Sequence, residues 1–215
     1  MPSLPLFPLG GTLLPGLRLP LQVFEERYLA LLQHLIDSDG EEIGFGVVAI
    51  RHGYEVGDRA NELCAIGCLA VLDRVVQVTD GFYLVLTHGT RRFRLDAVDE
   101  NAGTPWATGR VTWLQDVPGE PDAVAAQALS VRSAVEAHAR TVGSEVTEPP
   151  TDPGETAWWA AEALDLDRDD RQRLLELPEV PARLGLVRRL ALRETGLASR
   201  LGVAGGTGPT PPSLN

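Results

Sequence analysis

The sequence has 215 residues and a formal net charge of −11, and its 19 basic residues are all arginine. A Walker A phosphate loop and a Ser–Lys catalytic pair each need a lysine, so both are excluded from this sequence. Nucleic-acid binding depends largely on the neutralisation of phosphates, so the acidic balance disfavours a general nucleic-acid-binding protein.

Turn-forming residues divide the first part of the chain into short strands. Pro and Gly interrupt the apolar residues 4–23, which predicts strands joined by turns. An apolar stripe at helical spacing, from Phe24 to Leu35, then predicts a helix that ends at residues 37–40. Residues 43–50 are predicted to form a buried strand.

More strands follow, which together are typical of a small β-barrel. Residues 51–61 are polar and predicted to form a loop, and residues 62–78 are β-rich, with a bulge or a barrel corner expected at Gly67. Residues 79–81 are typical of a hairpin turn. Further strands are predicted at residues 82–87, 92–98 and 106–114. Many short strands with one inserted helix indicate a barrel or half-barrel.

The hydrophobic periodicity becomes helical after residue 117. Apolar residues from Val124 to Val142 recur every three or four positions, which predicts one long helix. Asp152 and Asp167 are predicted to cap two further helix starts. A last helix is predicted from Pro181 to Leu197, with its four arginines on the polar side.

These patterns predict an α+β protein in two modules. Residues 1–116 form the β-rich module with one inserted helix, and residues 117–200 form the α-helical module. Residues 201–215 contain too few large apolar side chains to pack, so we predict a disordered tail.

The run Leu4–Tyr28, LPLFPLGGTLLPGLRLPLQVFEERY, opens a series of motifs that stand in a specific order. The later motifs are residues 45–50, Ile66-Gly67, Asp80-Gly81, residues 89–94 and residues 171–194. In this order, over residues 4–197, they resemble the N-terminal domain of Lon proteases. The chain departs from the family pattern at Glu26, where Pro is frequent, and at Cys68, where Thr is usual.

The resemblance implies a fold and a role. The implied fold is a PUA-like β-barrel followed by an α-helical bundle. The implied role is non-catalytic recognition of protein substrates, in a stand-alone domain without the ATPase and protease parts. We therefore expect a non-enzymatic module that holds exposed apolar segments of unfolded or flexible proteins in a groove between the barrel and the helices.

Four residues are candidates for peptide binding. Glu26 and Arg27 lie at the start of the first helix, where they either complement the helix dipole or, as the resemblance implies, line a peptide-contacting surface. Trp158 and Trp159 are about 100° apart on a helix. We expect one to pack between the modules and the other to be an exposed apolar anchor, with core packing of both as the alternative.

A basic cluster supports the alternative function, an RNA-binding PUA-like module. Arg92 and Arg94 are predicted to share one face of a strand while Phe93 points inward, and Arg91 adjoins them. The net charge and the absence of interleaved exposed aromatic residues favour structural ion pairs instead. The candidate acidic partners are Asp73, Asp96 and Asp99.

No pattern in the sequence indicates a metal, a cofactor or a catalytic site. Cys64 and Cys68, with His52 and His88, are isolated side chains, and we interpret the cysteines as buried small residues. Their expected separation on a strand is too long for a disulfide, which favours a reducing, cytoplasmic location. His138 is expected to be a hydrogen-bonded interface histidine. We expect no membrane or nucleic-acid partner, and self-association is left open.

Overall fold

The computed structural model describes residues 2–38, 44–52, 62–99 and 101–202. Within these ranges the first half of the chain is mainly β-structure. The strands are β1 Ser3–Leu9, β2 Arg18–Val23, β3 Gly44–His52, β4 Glu62–Leu63, β5 Ile66–Thr79, β6 Phe82–Val98 and β7 Thr108–Trp113. Most of the predicted loop 51–61 and of the predicted tail 201–215 lies outside the described residues.

Five of the strands close into a barrel. β1 pairs in parallel with β3, where Leu6 lies opposite Gly46, and antiparallel with β7. The strand order β1-β7-β6-β5-β3 then returns to β1. β2 pairs with the first half of β6. This closed arrangement confirms the α+β fold with an N-terminal β-barrel.

The barrel interior is filled around Phe93, which is completely buried together with Leu6, Val48 and Val111. Gly67 leaves room for the Phe93 ring, because a Cβ at this position would lie 2.5 Å from the Phe93 Cζ. Of the two alternatives at Gly67, the bulge is wrong, because Gly67 pairs with Phe93 and the nearest register shift between β5 and β6 lies between Cys68 and Ala70. The glycine allows close packing instead.

β6 is a single strand of 17 residues, so the prediction of separate strands at residues 82–87 and 92–98 is wrong. The glycine in the expected break, Gly89, marks a close approach of backbone segments. A Cβ at Gly89 would lie 2.3 Å from the Leu14 carbonyl oxygen. The Gly89 N–H donates to the Leu17 carbonyl over 2.8 Å, so β6 continues past this point.

The helices are α1 Glu26–Ile36, α2 Pro121–Val142, α3 Thr156–Ala163, α4 Arg168–Glu176 and α5 Val180–Leu201, with a 3-10 turn at Pro153–Glu155. Asp152 caps the 3-10 turn and Asp167 caps α4, as predicted. The apolar stripe of α2 is buried against α5, which also confirms its prediction. No helix among the described residues is long and apolar enough to span a membrane.

α1 packs on the barrel through an aromatic stack. The Tyr28 ring lies 3.9 Å from the Phe7 ring, and Leu31 and Leu35 are buried on the same face. Phe24, however, is 55% exposed, so its expected place in the stripe is wrong. The helix begins only at Glu26, after the extended N-cap residue Glu25, so Phe24 precedes the helix.

α4 connects the helices to the barrel by polar contacts. The Gln172 amide donates to the Ile66 carbonyl over 3.1 Å and accepts from the Thr12 hydroxyl over 3.1 Å. The Arg168 guanidinium donates to the Ile50 carbonyl over 3.2 Å. Both parts also share one continuous apolar cluster.

Candidate functional site

A groove of about 860 Å³ lies between the barrel and the helices. Pro15, Leu17 and Thr90 contribute to it from the barrel, and Val124 and Val180 line it from α2 and α5. A groove of this size accommodates several side chains of a peptide or one small molecule.

The segment that precedes α3 forms the outer wall of the groove. The Trp159 Nε1 donates to the Thr147 carbonyl over 3.1 Å, and the Arg132 guanidinium donates to the Pro150 carbonyl over 2.6 Å. The Asp152 carboxylate accepts from the Gly154 N–H over 2.8 Å. These bonds attach the segment to α2 and α3, and thereby fix the width of the groove.

Both tryptophans of α3 line the groove, although they are buried. Trp158 is 5% exposed and Trp159 is 8% exposed, so the expectation of one exposed anchor is wrong. The reason is that α3 is covered on two sides. The Arg183 guanidinium stacks on the Trp158 ring at 4.3 Å, and the segment around Thr147 covers Trp159.

At the lining of the groove, one carboxylate joins two buried arginines. Asp116, between β7 and α2, accepts from Arg92 Nε over 3.1 Å and from Arg183 Nη2. Arg92 also donates to the Leu175 carbonyl over 2.8 Å. Because Arg92 comes from β6 and Arg183 from α5, this Arg92–Asp116–Arg183 junction links the barrel to the helices.

The electrostatics of the junction favour the ionised carboxylate. Burial alone would raise the pKa of Asp116, but the hydrogen bonds and positive charges of Arg183 and Arg92 together outweigh it and hold that pKa below its ordinary value. The two guanidinium groups share this one carboxylate, so the junction keeps one net positive charge, and the buried Arg183 Nε and Nη1 have no hydrogen-bond partner among the described residues. Because both arginines are buried, the junction is a structural unit that connects the two parts of the fold.

The rim of the groove is different, because its carboxylates have no cationic partner among the described residues. Glu148, Glu155 and Glu162 line the groove and are exposed to solvent. In the part of the chain that the structure describes, none of the three forms a salt bridge. The lining residues include no arginine or histidine, so the rim carries uncompensated negative charge.

Glu26 and Arg27 do not line the groove. Glu26 is exposed in the first turn of α1, which suits the helix dipole. Arg27 pairs with Glu25 at 2.9 Å and lies 4.6 Å from the centre of the Tyr28 ring. The four predicted peptide-binding residues thus occupy two separate places in the fold.

The basic cluster does not form one exposed surface. Arg92 is buried in the junction, so its expected pairing with Asp73, Asp96 or Asp99 is wrong. Arg94 is exposed and pairs with Asp96 at 2.8 Å, as predicted. Arg91 stacks on the Trp113 ring at 3.9 Å, and its odd spacing from Arg94 places the two side chains on opposite faces of β6.

The cysteines are buried and free. Burial raises the pKa of the Cys68 thiol to about 12. His88 pairs with Asp73 at 2.6 Å, and the His52 side chain lies outside the described residues. Among the residues that are described, no three histidine, cysteine or acidic side chains are grouped to hold a metal ion.

Two site residues were missed by sequence reasoning. Arg183 was assigned to the polar side of the last helix, yet it is fully buried. Its spacing from Val180 and Val187 places it on the apolar stripe of α5, and that spacing was a usable signal. No pattern in the sequence around Asp116 predicts its place in the junction.

His138 was expected to be hydrogen-bonded, but its buried Nδ1 has no partner among the described residues.

A family model described as the ATP-dependent protease La (LON) substrate-binding domain matches residues 3–193. The chain belongs to this Lon substrate-binding domain family. The matched family describes a substrate-binding domain and not a catalytic one.

Full-length relatives and solved domains agree with this assignment. The chain is 28% identical over 201 residues to a Lon protease of Anaeromyxobacter dehalogenans, covering 89% of this chain and 23% of that protein. It is 30% identical over 200 residues to Lon protease 2 of Herpetosiphon aurantiacus, covering 88% and 23%. The chain therefore spans about a quarter of the length of these relatives.

The structural comparisons reproduce the whole two-part fold. A Lon N-terminal domain protein from Xanthomonas campestris has a TM-score of 0.62 and 27% identity, with 86% of this chain and 96% of that chain covered. The N-terminal domain of a Mycobacterium avium complex Lon protease has a TM-score of 0.58 and 16% identity, with 91% and 98% covered. The second likeness supports the fold alone.

Proposed function

We propose that this domain is a non-catalytic binding module that holds exposed apolar segments of unfolded or flexible proteins. The observation that carries the proposal is the groove between the barrel and the helices, in a member of a substrate-binding family. Its walls are mainly prolines, valines, Leu17 and the two tryptophans. Burial of a peptide's apolar side chains against such walls is the main source of affinity in grooves of this kind.

Trp158 and Trp159 contribute to the floor and wall of the groove, and we propose them as its aromatic contacts. Their rings are held by Arg183 and by Thr147, so little conformational entropy is lost when a peptide binds. Glu26 and Arg27 form a separate candidate surface at the start of α1. We further propose a cytoplasmic, reducing location, which the two free cysteines support.

The test blocks the groove with a covalent label. Because Cys64 and Cys68 are buried, a maleimide should react selectively with a new exposed cysteine, introduced as Glu155→Cys in the groove wall. The matched control is Glu136→Cys, which is exposed on α2 outside the groove. Binding of a reduced and alkylated, permanently unfolded protein is then measured by fluorescence anisotropy.

We expect labelled and unlabelled Glu136→Cys to bind alike, and unlabelled Glu155→Cys to keep most of the binding although it lacks one rim carboxylate. Labelled Glu155→Cys should lose most of the binding. Equal binding by both labelled variants would exclude the groove as the site. Absence of binding by the unlabelled protein, together with salt-sensitive binding of a structured RNA, would favour the RNA-binding alternative.

A further inference from the structure

We propose that the groove selects peptide segments in which apolar side chains are flanked by lysine or arginine. This inference rests on the proposed function and specifies the chemistry of the segment that is held. It is carried by the coexistence of apolar walls and an uncompensated acidic rim in one groove.

The rim carboxylates lie on the two elements that enclose the outer side of the groove. Glu148 and Glu155 come from the segment before α3, and Glu162 comes from α3 itself. Each is exposed, and none forms a salt bridge with another described residue. Asp152 adds a fourth carboxylate, whose only hydrogen bond in the described part of the chain is from the Gly154 N–H at 2.8 Å.

The arginines nearest the groove cannot balance this charge. Arg92 and Arg183 are buried and share the single carboxylate of Asp116, so the junction leaves one positive charge against the four carboxylates of the rim. Arg132 donates to the Pro150 carbonyl over 2.6 Å, behind the segment that forms the outer wall. The described lining of the groove therefore presents negative charge to an occupant.

The physical consequence is a preference among apolar segments. A purely apolar segment would partly desolvate the rim carboxylates without pairing them, which costs free energy. An acidic segment would add like-charge repulsion. Lysine and arginine suit both parts of the groove, since their methylene chains pack on apolar walls while their charged ends reach a carboxylate.

The experiment uses three synthetic peptides that share their Leu, Phe and Gly positions and carry Arg, Gln or Glu at all other positions. Each bears a neutral dye, and its dissociation constant is measured by fluorescence anisotropy with the purified 215-residue protein. We expect the Arg peptide to bind at least about tenfold more tightly than the Glu peptide at low salt, with a smaller ratio at roughly 0.5 M NaCl.

The triple variant Glu148→Gln, Glu155→Gln and Glu162→Gln tests the rim directly. It should reduce the Arg-to-Glu preference to about twofold or less, because the charges that discriminate are gone while the apolar walls remain. The residues are exposed, so the variant is expected to fold normally.

A second triple variant controls for the change in net charge. Asp80→Asn, Glu136→Gln and Asp169→Asn are exposed positions outside the groove, and Asn-Gly preserves the hairpin turn at residue 80. This control should keep the full preference. Equal loss in both triple variants would overturn the rim assignment.

Different results would disprove the charge preference and the peptide-binding function on which it rests. Equal binding of all three peptides by the unmodified protein overturns the charge preference while the groove remains a peptide site. Absence of binding by any peptide, and by an unfolded protein, overturns the proposed function and this inference together.

Discussion

Two regions that contain carboxylates lie side by side in this domain and use their charge in opposite ways. In the Arg92–Asp116–Arg183 junction, a carboxylate is shared by two guanidinium groups that are almost completely buried. At the rim of the groove, Glu148, Glu155 and Glu162 are exposed to solvent. The comparison teaches that a net charge of −11 does not by itself identify a binding surface, because the surroundings decide what each carboxylate does.

The junction also contacts the residues that line the groove. Asp116 and Trp158 both line the groove, and Arg183 contacts both of them. The backbone reinforces this connection, since the Val117 N–H donates to the Pro178 carbonyl over 2.9 Å and the Val180 N–H donates to the Val117 carbonyl over 2.9 Å. We infer that the junction sets the groove's shape and the rim sets its charge.

The largest expected effect follows from removal of the shared carboxylate. Asp116→Ala leaves Arg92 and Arg183 buried without their anionic partner, and we expect a loss of about 3 kcal/mol in the free energy of unfolding. Urea unfolding followed by tryptophan fluorescence measures this change. The value is at the lower end of the range for buried pairs, because the Asp116 side chain is partly exposed.

The control for this prediction is an ion pair on the surface. Asp169 pairs with Arg168 at 3.2 Å, and its side chain is 82% exposed. Asp169→Ala should change the free energy of unfolding by less than about 1 kcal/mol. If both alanine variants lost the same small amount, the junction would not be the structural unit described above.

A smaller effect is expected where the outer wall of the groove is attached to α3. Trp159→Phe removes the donor to Thr147 and should cost about 1 kcal/mol in the free energy of unfolding. Amide hydrogen exchange of residues 148–155 should accelerate, because this segment loses its bond to the helix.

Thr147→Val is the matched control, since it removes only the hydroxyl and leaves the carbonyl acceptor of the stronger bond in place. It should change hydrogen exchange in the same segment much less. Unchanged exchange in Trp159→Phe would show that the wall is held by other contacts.

Local patterns predicted most of the fold but little of the junction. The α2 stripe and the Asp152 and Asp167 caps depend on residues close in sequence, so periodicity and capping rules identify them. Gly89 was misread because the need for glycine there comes from the close approach of the Leu14 backbone, which is distant in sequence. Propensity rules contain no information on such contacts.

The candidate site was predicted only in outline. A groove between the two parts was expected, and the tryptophans do line it, but their burial depends on a loop and on Arg183. Helical geometry separates adjacent residues by about 100°, which says nothing about how many sides of the helix are covered. Likewise, Asp116 pairs with residues 24 and 67 positions away, beyond any local rule.

The pH dependence of stability distinguishes the contribution of the junction from that of the other carboxylates. The pKa of Asp116 is lowered in the folded protein, so its contribution to stability is complete above the unfolded pKa of about 3.9. That contribution is lost as the pH falls through the folded value. Asp116→Asn lacks this titration, so its stability deficit relative to the unmodified protein should shrink below about pH 4.

Urea midpoints of the two proteins, measured in parallel between about pH 7 and about pH 3, report the deficit directly. All other carboxylates titrate in both proteins, so the difference isolates Asp116. A deficit that stays constant over the whole range would mean that its ionisation does not stabilise the fold.

The smallest stability effect is expected at the rim, and it is the sharpest test of the comparison. The triple variant Glu148→Gln, Glu155→Gln and Glu162→Gln should leave the free energy of unfolding within about 0.5 kcal/mol of the unmodified protein, because these exposed carboxylates form no salt bridge among the described residues. Urea unfolding and peptide binding are measured on the same preparation. If this variant lost both stability and the charge preference, the rim carboxylates would contribute to the fold, and the distinction between the junction and the rim would be wrong.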